Sequence, residues 1–409
     1  MIDEIFIDNF KSLRIFDMKM SKFTVLIGMN GAGKTTILQA FDFLSQMMHG
    51  QFDSWLEKRN WVASDLCSKF SNSPNINLRV RSSHKLDDIA FSTDWLSNFS
   101  RRELACTVEV TATNRKNSSR FEHPLIVNRG ERAFLVGKII PTAFTYQGSI
   151  LSQLFDKELS PELRTLRDSL RNIHSLEQLS PNLMRQKARG DATDIGFGGE
   201  KLSAFIGTIR GEQKETLVHL LQQFYPKLVD IKVSAIKGGW KRLSIVEEFG
   251  DERIETEARH INDGLLRILA ILAQSKTARS LLIFDEIENG VNPELVQKLV
   301  QTLIESDQQI IVTTHSPMIL NYLDDETARE AVQFVYKAPE GFTCVRRFFD
   351  IPRINEKLKY MGAGEAFIDT DLKILEDDCN ALDKAEEKNS QTITKRQVMA
   401  LIKAREKQT

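Results

Sequence analysis

The stretch Gly28-Met29-Asn30-Gly31-Ala32-Gly33-Lys34-Thr35-Thr36 constrains this chain more than any other. It follows an apolar run, Phe23 to Ile27, and leads into a helical stretch, Ile37 to Met48. Gly28 to Thr35 satisfies the pattern GxxxxGK[ST]. The glycines permit backbone conformations that turn successive N–H groups toward phosphate oxygens. The helix that follows adds its positive N-terminal end. Lys34 is expected to reach the β- and γ-phosphates, and the Thr35 hydroxyl to ligate Mg²⁺. Strand, glycine loop and helix in that order imply an α/β fold with a nucleotide site at the strand's end.

A second constraint is Leu281-Leu282-Ile283-Phe284-Asp285-Glu286. Four apolar residues suit a parallel strand buried on both faces. Acids at its C-terminal end emerge where ligands bind in open α/β sheets. Asp285 is expected to hold Mg²⁺ directly or through water, and Glu286 to orient and deprotonate an attacking water. Downstream, Ile310 to Thr314 is another buried-strand run, ending in His315-Ser316-Pro317.

Between these anchors the pattern changes twice. Ile76, Leu78 and Val80 alternate with polar residues, as do Cys106, Val108, Val110 and Ala112, which is the period of a half-buried strand. Asn128-Arg129-Gly130 reads as a turn before a strand at Ala133 to Val136. Residues 150–225 switch to helical spacing, broken at Ser160-Pro161, Ser180-Pro181 and Gly196 to Gly199. Ile231 to Ala235 and Leu243 to Val246, separated by Gly238-Gly239, signal a hairpin. Residues 335–349 read as a final strand pair, Glu365 to Leu375 as a helix, and the tail from Lys384 as a weak amphipathic helix marked by Val398, Leu401 and Ile402.

Composition excludes several classes. The net charge is −1, so no global positive field draws nucleic acid. Local basic clusters remain at Arg79 with Arg81, at Arg101-Arg102, and at Arg185 with Lys187 and Arg189. Four scattered cysteines without CxxC spacing support neither a disulfide framework nor a zinc site, which fits a reducing cytoplasm. No run approaches a membrane span.

Further segments match one family. The opening Ile7-Asp8-Asn9-Phe10-Lys11-Ser12-Leu13 and the phosphate loop resemble ABC-type ATPases of the SMC, RecF and overcoming-lysogenization-defect class. Ile261-Asn262-Asp263-Gly264-Leu265-Leu266-Arg267 resembles that class's signature segment, with Asn262 where serine is usual. Physically, Asn262, Asp263 and Gly264 cap a helix from Leu265 to Gln274, and such an N-terminus is an anion site. Glu288 to Pro293 resembles the loop after the acids, with Asn292 where histidine is common.

The resemblance implies an α/β ABC-type P-loop NTPase with a mixed central sheet, an antiparallel β-lobe and an inserted helical lobe. It implies an ATPase domain over residues 1–335, with the β-rich lobe near 76–140 and the helical lobe near 150–225. A strand pair and charged tail would fill 336–409. By the same resemblance Lys11, Ser12, Asn30, Gly31, Ala32, Gly33, Thr35 and Thr36 line the nucleotide. Gln147 falls where a metal-sensing glutamine would lie, and His315 matches the switch histidine that contacts the γ-phosphate. ATP and Mg²⁺ are the implied cofactors, and an ATP-sandwiched homodimer the implied assembly. Leu179 to Arg185 and Gly196 to Leu202 resemble the helical lobe of stand-alone prokaryotic anti-phage defence ATPases of the RloA/AbiL, PtuA and AriA type. There a separately encoded effector, such as a Toprim nuclease, would be the partner, with DNA a further candidate. A RecF-like repair ATPase is the alternative. A third reading, a nuclease with its own Toprim-like site, would need acids such as Asp369 and Asp371 to be catalytic.

Overall fold

The structure is a computed structural model. It describes all residues except 87–88, 115–122, 130–131, 136–137, 142–143, 177–178, 278 and 390–409. The turn expected at Gly130 and the amphipathic segment around Val398 lie outside the described residues. The chain divides into two compact units. One joins Met1–Ile173 to Asp325–Thr409, and the other is His174–Asp324. The strand pair expected at 335–349 therefore belongs to the same unit as the phosphate loop.

In the first unit an antiparallel sheet runs in the order Phe16–Lys19, Ile2–Asp8, Asn75–Leu86, Ile89–Ser100, Ala105–Asn114, His123–Arg129, Arg132–Leu135, Lys138–Pro141. Ile76, Leu78 and Val80 face the core and are fully buried, as their alternation demands. Phe23–Ile27 lies elsewhere in this unit, beside Val332–Lys337 in parallel, with Val25 opposite Val332 and Ile27 opposite Phe334. Val332–Lys337 turns back through an antiparallel hairpin to Thr343–Arg347. Every residue of Phe23–Ile27 is buried, which explains its unbroken apolar run.

The helix after the loop spans Lys34–His49 and buries Ile37, Leu38, Phe41, Leu44 and Met48 on one stripe. It stops at Gly50, whose left-handed φ of 69° lets its N–H reach the Gln46 carbonyl. Phe43 on this helix packs against Phe10, Phe52, Trp55 and Phe99.

Glu365 to Leu375 is not one helix. The structure has Ala363–Ile368, then a break, then Leu372–Asn389. Asp371 explains the break, since its carboxylate accepts from the Lys373 N–H at 2.8 Å and so starts the second helix. Asp369 pairs with Lys357 at 2.9 Å. The longer helix docks on the hairpin through Tyr336, which donates to Asp383 at 2.6 Å, and Arg346, which bonds Asp383 and Glu386. Burial and the neighbouring Asp383 carboxylate raise the Tyr336 phenol.

The second unit carries a parallel pair, Leu281–Phe284 and Gln309–Thr313, with the helix Pro293–Ile304 in the crossover. A separate antiparallel sheet centres on Trp240–Phe249, flanked by Leu228–Ile236 on one side and by Ala188–Arg189 and Glu252–Glu257 on the other. The hairpin read at Gly238-Gly239 is present. The helical spacing of 150–225 resolves into Pro161–Arg171 in the first unit and Pro181–Met184, Leu202–Ile206 and Glu212–Gln222 in the second. The helix expected at Leu265 runs Asp263–Ser275, and ten of its residues are buried.

Candidate functional site

The phosphate loop takes its shape from three glycines with positive φ, at 145° for Gly28, 76° for Gly31 and 112° for Gly33. Two of them are also forced to be glycine by what lies beneath. A Cβ at Gly28 would stand 2.1 Å from the Val335 carbonyl oxygen, and one at Gly33 would stand 2.1 Å from the Thr343 hydroxyl. The hairpin of Val332–Lys337 and Thr343–Arg347 is thus the floor under the loop. Above it Asn30, Gly31 and Thr35 are exposed, and Thr36 is half-buried. Ala32 is buried, and its N–H reaches the Met29 carbonyl at 3.2 Å.

Lys34 is buried, its ammonium donating to the Gly28 carbonyl at 2.8 Å and the Met29 carbonyl at 3.2 Å. It folds back over its own loop. Lys11 has a left-handed φ of 47°, donates to Gln39 at 2.7 Å, and lies 3.3 Å above the Trp61 ring. Ser12 bonds the Thr343 hydroxyl at 2.8 Å. Gln147 uses both ends of its amide on Asp53 at the start of the helix Phe52–Lys58, donating at 2.6 Å and accepting at 3.1 Å.

In the second unit the parallel register decides which residues meet. Phe284 lies opposite Val312, so both strands end at one level, and Asp285 and Glu286 emerge beside Thr313, Thr314 and His315. Thr313 ties them together. Its hydroxyl donates to the Asp285 carboxylate and accepts from the Glu286 N–H at 2.8 Å. The Thr313 carbonyl accepts from the Ile287 N–H at 3.2 Å. Glu286 itself has φ 48°. A non-glycine residue pays about 1–2 kcal/mol for that conformation. The reward is a half-exposed carboxylate facing outward, 3.8 Å from the His315 ring and 3.2 Å from the Asn289 amide that donates to it. Glu288 fixes the histidine's backbone, accepting from the His315 N–H at 2.8 Å and the Ser316 N–H at 3.1 Å.

The signature-like segment joins this cluster. The Asn262 side chain accepts from the Leu265 N–H at 2.8 Å, so it caps the helix Asp263–Ser275 as its position suggests. Gly264 leaves room for the Gly290 carbonyl, 3.0 Å from where a Cβ would sit. Arg267 donates to the Asn289 carbonyl at 2.6 Å. Its guanidinium pKa is lowered by burial, against the pull of Glu286, Asp263 and Glu288. Arg185 bonds both the Asp263 carboxylate and the Ile261 carbonyl.

Sequence patterns do not disclose the roles of Thr313 and Thr343, and they mark Glu288 only as the start of the loop after the acids. The available signal for Thr313 is its place at the end of a strand whose partner ends in two acids. The Arg79 and Arg81 charges are neutralised within the sheet by Asp94 and Glu4, and Arg185 by Asp263.

For Mg²⁺ the donor chemistry fits. The exposed Thr35 hydroxyl in the first unit and the Asp285 carboxylate in the second are each a hard oxygen of the kind this ion takes. Among the described residues no cluster of three or more His, Cys, Asp or Glu forms an all-protein metal cage.

A family model described as "AAA domain, putative AbiEii toxin, Type IV TA system" matches residues 23–321. The curated proteins contain no match. Among solved structures, an SMC head bound to the C-winged helix domain of ScpA aligns at TM-score 0.50 and 14% identity, covering 84% of this chain and 97% of that one. An SMC head from Pyrococcus furiosus, with an extended coiled coil and bound to the C-terminal domain of ScpA, aligns at 0.47 and 14%, covering 88% and 99%. The recombination mediator RecF aligns at 0.43 and 11%, covering 85% and 98%. The fold is the mixed α/β fold of the SMC head. Among the described residues no helix is long and apolar enough to cross a membrane.

Proposed function

Because the chain belongs to the AAA domain family described as putative AbiEii toxin of type IV toxin–antitoxin systems, we propose that it is an ABC-type ATPase whose ATP-driven dimerisation controls a separately encoded effector in prokaryotic anti-phage defence. The observation that carries this reading is the phosphate loop. Its glycines stand at positive φ, Gly28 over the Val335 carbonyl and Gly33 over the Thr343 side chain, its lysine is folded against the loop, and a helix N-terminus closes it.

In this reading Lys34 and the loop N–H groups bind the β- and γ-phosphates. Thr35 and Asp285 would hold Mg²⁺, whose charge would offset that of the phosphates. Glu286 orients and deprotonates the water, and His315 contacts the γ-phosphate. Lys11 and Ser12 would line the same nucleotide, and Gln147 would sense its metal. Asn262, Asp263 and Gly264 present the capped helix end to ATP held by a second copy. The family description, a putative toxin of a type IV toxin–antitoxin system, is what supports the reading of a two-component system.

The test is the mass of Glu286→Gln in solution, with and without ATP and Mg²⁺. Replacing the general base removes turnover while leaving binding intact, so a stable dimer is expected only with nucleotide. Lys34→Ala is expected to stay monomeric in both conditions. A Glu286→Gln protein whose mass ignores ATP would overturn the dimer mechanism. In the host, Lys34→Ala is expected to raise phage plating to the level of a deletion. Unchanged protection would remove the defence reading.

A further inference from the structure

We infer that Thr343 is a positioning residue of the phosphate loop, its single hydroxyl setting the loop's backbone for the triphosphate. The inference rests on the reading of Gly28–Thr35 as the ATP site. It extends that reading to a residue on a distant strand.

The argument begins with the valence of one hydroxyl. Thr343 is buried, at 1% exposure, and its Oγ1 has three partners. It lies 2.9 Å from the Ala32 carbonyl, 3.1 Å from the Lys337 ammonium and 2.8 Å from the Ser12 hydroxyl. A threonine hydroxyl offers one donor and two acceptor lone pairs. The carbonyl can only accept and the ammonium can only donate. The Thr343 proton therefore goes to Ala32, Lys337 fills one lone pair, and Ser12 must be the donor to the other. All capacity is used, which fixes the rotamer of Thr343 and the orientation of the Ser12 hydroxyl together. The Thr343 backbone N–H adds a fourth bond, to the Ser12 carbonyl at 2.8 Å.

The consequence falls on the loop. Ala32 sits between the exposed Gly31 and the half-buried Gly33, and its peptide orientation sets which way the next N–H, that of Gly33, points. Gly33 lies directly against the same hydroxyl. Holding the Ala32 carbonyl down toward Thr343 turns the following N–H away from the floor and toward the phosphate side. Lys337 is held in turn by the C-terminal helix Leu372–Asn389. Its N–H donates to Glu376 at 3.2 Å and its carbonyl accepts from Asn380 at 3.0 Å.

The test compares Thr343→Val, which keeps the shape and removes the hydroxyl, with Thr343→Ser, which keeps the hydroxyl. Amide hydrogen exchange over residues 28–37 is read first in nucleotide-free protein. Exchange is expected to quicken by about threefold or more in Thr343→Val, a fraction of one buried hydrogen bond's worth of protection, and to stay at the wild-type rate in Thr343→Ser. Binding of a fluorescent ATP analogue with Mg²⁺ is read second. Thr343→Val is expected to weaken it about tenfold with a matching rise in KM, and Thr343→Ser to restore it. The melting temperature of each variant separates this from general unfolding.

Unchanged exchange and binding in Thr343→Val would overturn the inference, as would equal losses in both variants. If wild-type protein fails to bind the analogue while loop exchange still responds to the hydroxyl, the ATP reading falls and the positioning role stands.

Discussion

Glu286 is the residue where stability and activity pull apart. Its φ of 48° costs free energy that glycine would not pay. Glu286→Gly is therefore expected to melt no lower than wild type while losing ATPase kcat by about 10²-fold or more. A variant that melts lower would show that the side-chain contacts to Asn289 outweigh the backbone strain. The loop glycines separate in the same way. Gly28→Ala drives a methyl into the Val335 carbonyl, whereas at Gly31 nothing lies within 4 Å of the added carbon. The first is expected to cost about 3 kcal/mol or more through forced displacement. The second is expected to cost only about 1 kcal/mol of left-handed backbone strain. Urea midpoints of the two variants check the ordering, and equal losses would contradict the floor described under the loop.

Among the elements, the signature-like helix and the long sheet each carry a measurable consequence. Asn262→Ala removes the cap on the Leu265 N–H and is expected to cost about 1 kcal/mol, with Asn262→Ser recovering most of it. Equal stability of all three would mean that solvent satisfies that N–H as well as the amide does. In the sheet, His84 stacks on Phe91 and lies 3.0 Å from the Thr93 hydroxyl. Burial, then the nearby N-terminal ammonium, lowers its pKa to about 4. The native ring is thus neutral where the unfolded one, with a pKa near 6.5, already takes up a proton. Its contribution is present above about pH 6.5 and is lost as pH falls toward 4. His84→Gln is expected to flatten the fall in urea midpoint between pH 7 and pH 5, and parallel curves would refute this.

The elements also show what the sequence could disclose. The phosphate-loop strand and helix, the acids at a strand end and the hairpin around Gly238-Gly239 are local patterns, each written within one short stretch of chain. They appear in the structure where their periodicity puts them. The single helix expected over Glu365 to Leu375 fails for a local reason as well, since Asp371 caps a new start. Thr313 and Thr343 were illegible because their meaning is not local. The first acts across the parallel register of two strands, and the second on a carbonyl near the other end of the chain. One threonine has no period and no motif, and only the pairing of strands reveals its partner.

For the whole molecule, ATP linkage is the property to measure. If two copies close on two nucleotides, Mg-ATP stabilises only the closed state. A free nucleotide concentration about 100 times Kd then adds about 2.7 kcal/mol per site. The melting temperature of Glu286→Gln with Mg-ATP is expected to rise with protein concentration, and to be flat without nucleotide. A shift independent of protein concentration would indicate binding without assembly.

The interleaving of the two units has a temporal side. Phe23–Ile27 lies beside Val332–Lys337, and the loop it feeds rests on Thr343, so the unit that contains the motif is finished only after His174–Asp324 has been made. A ribosome releases the glycine loop early and its support some three hundred codons later. Until translation passes that hairpin, the nascent motif has its letters but no bed.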